Sequence, residues 1–358
     1  MTQHNAVFIT VALLAIVSPG FLAGACDAFS RDDSDPDDAA VRYVNAASAT
    51  PGVGTSWGSA FTVVQPAVDA CAAVVFERGG TCQVWVASGT YPVFQSDEHD
   101  TISLPTGVEL HGGFAGDETE LAQSDPVAHV TTLDGGGQVQ HVVTAADQTM
   151  LDGFEITGGN AYDSTNWDEE EDEEGTVAEN DGFGAGLRHT GGMMVVKACD
   201  FHDNSSRRDW SVADGDSSYS DNGGDGGGIS SAGSLLVDTC RFASNSGGAI
   251  VAQDLTLQNS SFENNRQLGS SWSFCDYVTF DSSSSDTGVG GAVYAVTATV
   301  TGCAFVDNVA VNGGAIFAET LFVDDSVFTG NDAQGTREET TETGMDGEET
   351  TTMDIGYG

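Results

Sequence analysis

Two short phrases alternate between Gly184 and Asn331, and they restrict the fold more than anything else in the chain. One is a glycine pair followed by a small or apolar residue and an aliphatic: Gly226-Gly227-Gly228-Ile229, Gly247-Gly248-Ala249-Ile250, Gly290-Gly291-Ala292-Val293 and Gly313-Gly314-Ala315-Ile316, with Gly184-Ala185-Gly186-Leu187 as a looser first copy. The other is Phe-x-x-Asn: Phe201 and Asn204, Phe242 and Asn245, Phe262 and Asn265, Phe305 and Asn308, Phe328 and Asn331. Successive phenylalanines lie 41, 20, 43 and 23 residues apart, and the glycine phrases step by 42, 21, 43 and 23. A short fixed period that twice carries an insertion of about one further period is the mark of a solenoid.

The repeat has a physical reading. Ahead of each phenylalanine stand Met194-x-Val196, Leu235-x-Val237, Leu255-x-Leu257, Ala298-x-Val300 and Leu321-x-Val323, the alternation of a half-buried strand. Two residues before each Phe runs a column of Cys199, Cys240, Ser260, Cys303 and Ser326. Coils stacked at the spacing of paired strands, ~4.8 Å, would pile like residues on like, with phenylalanines up one inner wall and aliphatics up another. The asparagine three places later suits a turn, where it tolerates the left-handed region and bonds local backbone. Long helical patterns are almost absent and glycine is abundant, at 46 residues, so the chain reads as all-β with many turns.

One amphipathic stretch breaks that rule. Between Ala60 and Glu77, Phe61, Val64, Val68, Cys71, Ala72 and Val75 recur at helical spacing; Ser56 or Ser59 is placed to cap it, Gly79-Gly80 to end it, and Pro66 to kink it or to delay its start. A helix ahead of a solenoid covers the open end of the stack, whose first strand is otherwise a bare edge.

The remaining boundaries follow composition. Residues 1–25 hold a short apolar run ending in small residues, as in a secretory signal peptide. Ala23-x-Ala25 suits an ordinary signal peptidase and simple secretion, while the residues before Cys26 have the character of a bacterial lipobox, with Leu22 one place farther from the cysteine than usual; lipidation of Cys26 is the favoured expectation. Residues 26–40 form an acidic tether, 41–331 the solenoid, and 332–358 an acidic Thr-rich tail read as disordered. Insertions at about 160–182, 205–224 and 266–289 interrupt the period, each after the Asn-side turn, so they should emerge from one side and form the binding face.

Charge narrows the partners. With 55 acidic and 10 basic residues the net charge is −45, and Lys197 is the sole lysine. Such a chain repels phosphate, which excludes nucleic acid and anionic membrane surfaces; contact with a membrane would come only through a lipid on Cys26. Lipidation would leave six of the seven cysteines, an even number for an oxidising compartment. A Cys71–Cys82 bridge would staple the helix to the first buried strand. Cys199 and Cys240, equivalent on neighbouring coils, are placed either to bond or to remain buried thiols.

Several phrases carry a family resemblance. Tyr43-Val44-Asn45, Ser56-Trp57, Val84-Trp85-Val86-Ala87-x-Gly89-Thr90-Tyr91, Gly107-Val108-x-Leu110-x-Gly112-Gly113-Phe114-x-Gly116-x-Glu118 and Thr132-Leu133-Asp134-Gly135 resemble the N-terminal half of secreted bacterial right-handed parallel β-helix proteins with the pectin-lyase-like fold. The alternating Gly-Gly-Ala-Ile and Phe-x-x-Asn phrases are similar to the polymorphic outer membrane protein repeat. The resemblance spans about residues 41–331. It implies a right-handed parallel β-helix behind an N-terminal capping helix.

Candidate sites are sparse. Asp214-x-Asp216-x-Ser218, with Asp225 beyond, spaces oxygen ligands like a calcium loop, but Tyr219 stands where glycine is wanted and no Glu closes it. A solvated polar loop is the simpler reading, and no other cofactor is indicated. Parallel β-helices also host polysaccharide lyases and hydrolases, which need a base beside calcium or paired carboxylates. Arg188, Lys197 and Arg241 are the basic residues within the coils, and Arg188-His189 and Asp200-x-His202 come nearest to a site. None matches a lyase or hydrolase motif, and exposed strand-face polar residues are the simpler reading; His111 and His141 read as packed or surface histidines. The sequence therefore favours a non-catalytic cell-surface lipoprotein at the outer membrane, for adhesion, display or envelope structure, whose loops meet an extracellular glycan or surface protein. A polysaccharide lyase or hydrolase is the alternative. Carboxylates converging on one face of the rod beside a groove would favour the enzyme.

Overall fold

The structure, a computed structural model, describes residues 40–163, 183–208, 217–220, 226–267, 271–274, 290–334, 337–343 and 349–355. The signal peptide, Cys26, the tether to residue 39 and the aspartates 214, 216 and 225 lie outside them.

Strand pairing between coils is parallel throughout the rod. In the first sheet Ala40–Val44, Cys82–Ala87, Val108–Phe114, Thr149–Asp152 and Met193–Lys197 form one row that meets the C-terminal half of Ile229–Asp238. A second row, Ile102–Leu104, Val143–Ala145 and Leu187–His189, meets the N-terminal half of the same strand. From there on the strands run unbroken: Ile250–Gln258, Val293–Thr301 and Ile316–Asp324. The register shift between Ser231 and Ser234 is a bulge at the junction of the two rows, and Gly233 fits there because a Cβ would lie 2.3 Å from the Gly192 carbonyl.

The second sheet is built from three-residue rungs, Asp200–His202, Arg241–Ala243, Ser261–Glu263, Ala304–Val306 and Val327–Thr329, below longer strands at Glu155–Asp163 and Thr131–Val139. Each rung is framed by two left-handed residues five apart: Ala198 and Asp203, Thr239 and Ser244, Asn259 and Asn264, Gly302 and Asp307, Asp325 and Gly330, with φ between 44° and 67°. Non-glycine residues hold this conformation because the ladders on either side over-determine it. Short third-sheet pairs follow, Arg266–Gln267 with Val309–Ala310 and Asp332–Ala333. This is a right-handed parallel β-helix.

Phe201, Phe242, Phe262, Phe305 and Phe328 stack in one interior file, with centroids 4.7–5.0 Å apart and planes within 5°. The asparagines differ from expectation. The left-handed corner is taken by the preceding residue, and Asn204, Asn245, Asn265 and Asn308 point into the rod. Each carries backbone hydrogen bonds along the stack: Asn245 Nδ2 donates to the Phe201 carbonyl at 2.9 Å, and its Oδ1 accepts the Asn204 N–H at 3.2 Å. At the glycine phrases the first position needs positive φ (Gly226 72°, Gly290 72°), and the second has no room for a side chain, since a Cβ on Gly291 would meet the Gly314 carbonyl at 2.1 Å.

Helix α1 spans Val64–Arg78 and buries Val64, Ala67, Val68 and Cys71 in the same core as Val44 and Val84. It starts later than its periodicity suggests. Pro66 therefore falls in the first turn, where its missing N–H costs nothing and no kink is required, and Val63 rather than a serine occupies the cap. Gly79, at φ 71°, ends it. Cys71 and Cys82 are bonded, with Cα atoms 5.3 Å apart, and so join α1 to the first sheet. Among the described residues no helix is long and apolar enough to cross a membrane.

Little of the three insertions is described. Ser217–Ser220 and Ser271–Phe274 pair antiparallel, so the second and third insertions meet. Within the segment expected to be a disordered tail, Arg337–Thr343 and Glu349–Ile355 also form an antiparallel pair.

Candidate functional site

A three-residue rung points its middle residue inward and its two flanking residues outward. Register therefore assembles two outward columns on either side of the phenylalanine file. One contains Thr132, Glu155, Asp200, Arg241 and Ser261; the other contains Asp134, Thr157, His202, Ala243 and Glu263. Four carboxylates, an imidazole and a guanidinium thus share one face, and Glu155, Asp200, Glu263, His202 and Arg241 are interlinked there.

They bond to one another in two groups. Glu155 accepts the Thr132 hydroxyl on Oε2 and meets His202 Nε2 at 3.0 Å through Oε1, while His202 Nδ1 lies 3.0 Å from Asp203 Oδ2. Arg241 Nη1 donates to both oxygens of Asp200, at 3.2 and 3.1 Å, and its Nη2 reaches Glu263 Oε2 at 3.3 Å. The Thr132 hydrogen bond, aided by His202, outweighs burial and holds the Glu155 carboxyl below its usual range. Burial pulls the His202 imidazole down, but hydrogen bonds to Asp203 and Glu155 outweigh it, and the net direction is up. For Arg241, the charge of Asp200 likewise overcomes burial and raises an already high value.

A groove of ≈ 410 Å³ runs beside this face at the corner between the first and second sheets. Pro126, Val127 and Val130 line it on one part; Glu155, Asp200, Arg241, Asn259 and Ser261 line it on another. Its lining includes Cys199 and Cys240. These are buried thiols, not a disulfide: the Cys240 sulfur accepts the Cys199 N–H at 3.4 Å, the same acceptor role that Ser260 plays for Cys240. Burial, then the neighbouring Cys240, pushes the Cys199 thiol well up.

The other residues singled out in the sequence do not join this face. Lys197 extends the outward column of His111 and Asp152 on the first sheet. Arg188 lies on the outer side of its strand, and His189, beside it, is buried with Nδ1 2.7 Å from the Ser231 hydroxyl. His141 is buried with Nδ1 3.0 Å from the Gly184 carbonyl. His111 is buried between Glu109 and Asp152, 3.4 Å from each. Among the described residues no group of three or more His, Cys, Asp and Glu side chains is placed to hold a metal.

Glu155 and Glu263 were not anticipated. Glu155 precedes Ile156, which holds a phenylalanine's place in the file, and Glu263 follows Phe262. Reading the residues that flank the file as columns, instead of searching along the chain for motifs, would have found both.

No protein-family profile matches the chain, and no curated protein matches it. Three solved structures do. Pectin methylesterase from Aspergillus niger, in a penultimately deglycosylated form, is 13% identical over 84% of this chain and 88% of its own, with a TM-score of 0.38. Its deglycosylated form gives the same identity and coverage at 0.36. A mutant pectin methylesterase in complex with a hexasaccharide is 11% identical over 88% of this chain and 85% of its own, also at 0.36.

Proposed function

We propose that the protein is a secreted enzyme that cleaves an extracellular glycan at the outward face of the second sheet. The supporting observation is the convergence of Glu155, Asp200 and Glu263, with His202 and Arg241, beside a groove. The groove combines an apolar flank at Val127 and Val130 with fixed polar groups at Arg241, Asn259 and Ser261, the mixture that grips a sugar's C–H faces and hydroxyls together. Glu155 and Asp200 are neighbours in one column, one ladder step apart, so two carboxylates can flank one glycosidic bond. In this reading Arg241 positions Asp200 by donating to both of its carboxylate oxygens, and His202, flanked by Glu155 and Asp203, supplies the proton. A net charge of −45 disfavours polyuronates, which makes a neutral or amino glycan the substrate class. Secretion through the first 25 residues and a lipid on Cys26 belong to the same proposal.

A second reading has its own support. The second and third insertions meet through Ser217–Ser220 and Ser271–Phe274, which would build a loop platform for adhesion or display without catalysis. Incubation with a panel of neutral, amino and acidic polysaccharides separates the two. New reducing ends or unsaturated products support the enzyme; retention of a polysaccharide without any product supports the platform and removes the catalytic claim.

A further inference from the structure

The rod's two ends are treated unequally. At the first, α1 packs its apolar face into the core beside Val44 and Val84, and the Gly54 and Phe61 backbone bonds the outer edge of Ala40–Val44, whereas the last coil has no such cover among the described residues. Ile316–Asp324 pairs only with Val293–Thr301, Val327–Thr329 only with Ala304–Val306, and Asp332–Ala333 only with Val309–Ala310. Of the twelve large hydrophobic side chains that the described residues leave exposed, six stand in this coil. The inward positions make the point best: Leu321, Val323 and Phe328 are 42–45% exposed, whereas Ala298, Val300 and Phe305, one rung below, are fully buried. An apolar floor beside three unpaired strand edges is a template for aggregation unless something covers it.

Chain spacing points to what does. The step from Val293 to Ile316 is 23 residues, and the same step from Ile316 lands on Glu339, inside the strand Arg337–Thr343. That strand is already β, and it pairs along one edge with Glu349–Ile355, in the register Arg337 with Ile355 and Thr341 with Thr351. At the 23-residue step, its Glu339 and Thr341 take the sequence positions that Ile316 and Ala318 hold in the coil before. A rung with polar residues at core positions cannot seat another rung upon it, which is what a terminal repeat requires. The partner strand puts Glu349 and Asp354 on the outermost edge, charges that discourage further pairing.

We propose that the hairpin Arg337–Thr343/Glu349–Ile355 docks on the open end of the rod as a polar cap, its first strand adding in parallel to the part of the last long strand from Ile316 to Thr320, the register that the 23-residue step sets. Arg337 follows Gln334, the end of the last described coil, by only three positions in sequence, so the hairpin's effective concentration at the edge is high.

Hydrogen exchange on the full-length protein tests this. The amides from Ile316 to Thr320 should exchange at least ~10-fold more slowly in the intact chain than in a Thr340→Pro/Thr341→Pro double variant, whose strand cannot form the added ladder. A chain ending at Gln334 should show the same loss of protection and a concentration-dependent rise in mass by light scattering. Equal exchange from Ile316 to Thr320 in all three proteins would overturn the proposal. So would protection in the intact chain that grows with protein concentration, since a second copy would then be the cover.

Discussion

Asn265 receives the N–H and the side-chain amide of Asn245 on its Oδ1, at 3.1 and 3.0 Å, and donates to the Phe242 carbonyl and to Asn308 Oδ1, both at 3.0 Å. It is wholly buried. Removing it strands a backbone N–H and a carbonyl in the core, so Asn265→Ala should destabilise by ~2–4 kcal/mol in denaturant unfolding. Asn331→Ala, at the last rung and only partly buried, should cost clearly less. His111 offers a pH-dependent counterpart. Burial lowers its affinity for a proton, but hydrogen bonds and charge from Asp152 and Glu109 prevail, and its value in the fold is raised. The groups facing it are Glu109 on its own strand, Asp152 on the next, and Gln83, which donates to Glu109 at 2.8 Å, on the strand before. A folded value above the unfolded one means that stability is fully present below the unfolded pKa, about 6.5, and is lost as pH rises through the folded one. The stability advantage of the wild type over His111→Gln should therefore shrink steadily from about pH 6.5 upward.

At the scale of elements, α1 is the one the sequence reads almost completely. Its apolar spacing and its terminal glycines are visible along the chain, and Pro66 marks a kink or a later start, of which the structure takes the later start; only the cap differs, Val63 standing where the sequence points to a serine. The staple between Cys71 and Cys82 closes a loop of 11 residues, and Cys71→Ser/Cys82→Ser should cost ~2–3 kcal/mol. Exchange should quicken in Ala40–Val44 and Cys82–Ala87 and stay unchanged in Val293–Thr301; a uniform change along the rod would contradict the assigned role. The phenylalanine file is equally legible, since the same residue recurs at every rung. The outward columns are not. Glu155, Asp200 and Arg241 are neighbours in space but are three different residue types, 45 and 41 positions apart in sequence, so no local motif marks them. The asparagines mislead for another reason: Asn is common in left-handed turns, and nothing local distinguishes that use from a buried ladder one residue later.

At the scale of the molecule, the coil stack is what turns scattered residues into a surface. Its ladders fix Asp200 beside both Glu155 and Arg241, and the three-residue rung holds each outward without side-chain help from below. The ion pairs themselves contribute little to folding, since Asp200 and Arg241 are 35% and 46% exposed and such pairs give about 1 kcal/mol or less. Stability and activity can thus be separated at this face. The most direct measurement is the rate of reducing-end release from a cleaved neutral or amino glycan by the wild type, Glu155→Gln and Asp200→Asn, with unfolding monitored in parallel. Each variant should keep its unfolding midpoint nearly unchanged and lose at least ~100-fold in kcat. Wild-type rates in both variants, or loss only in step with unfolding, would contradict the assignment of this face as the place where the protein acts.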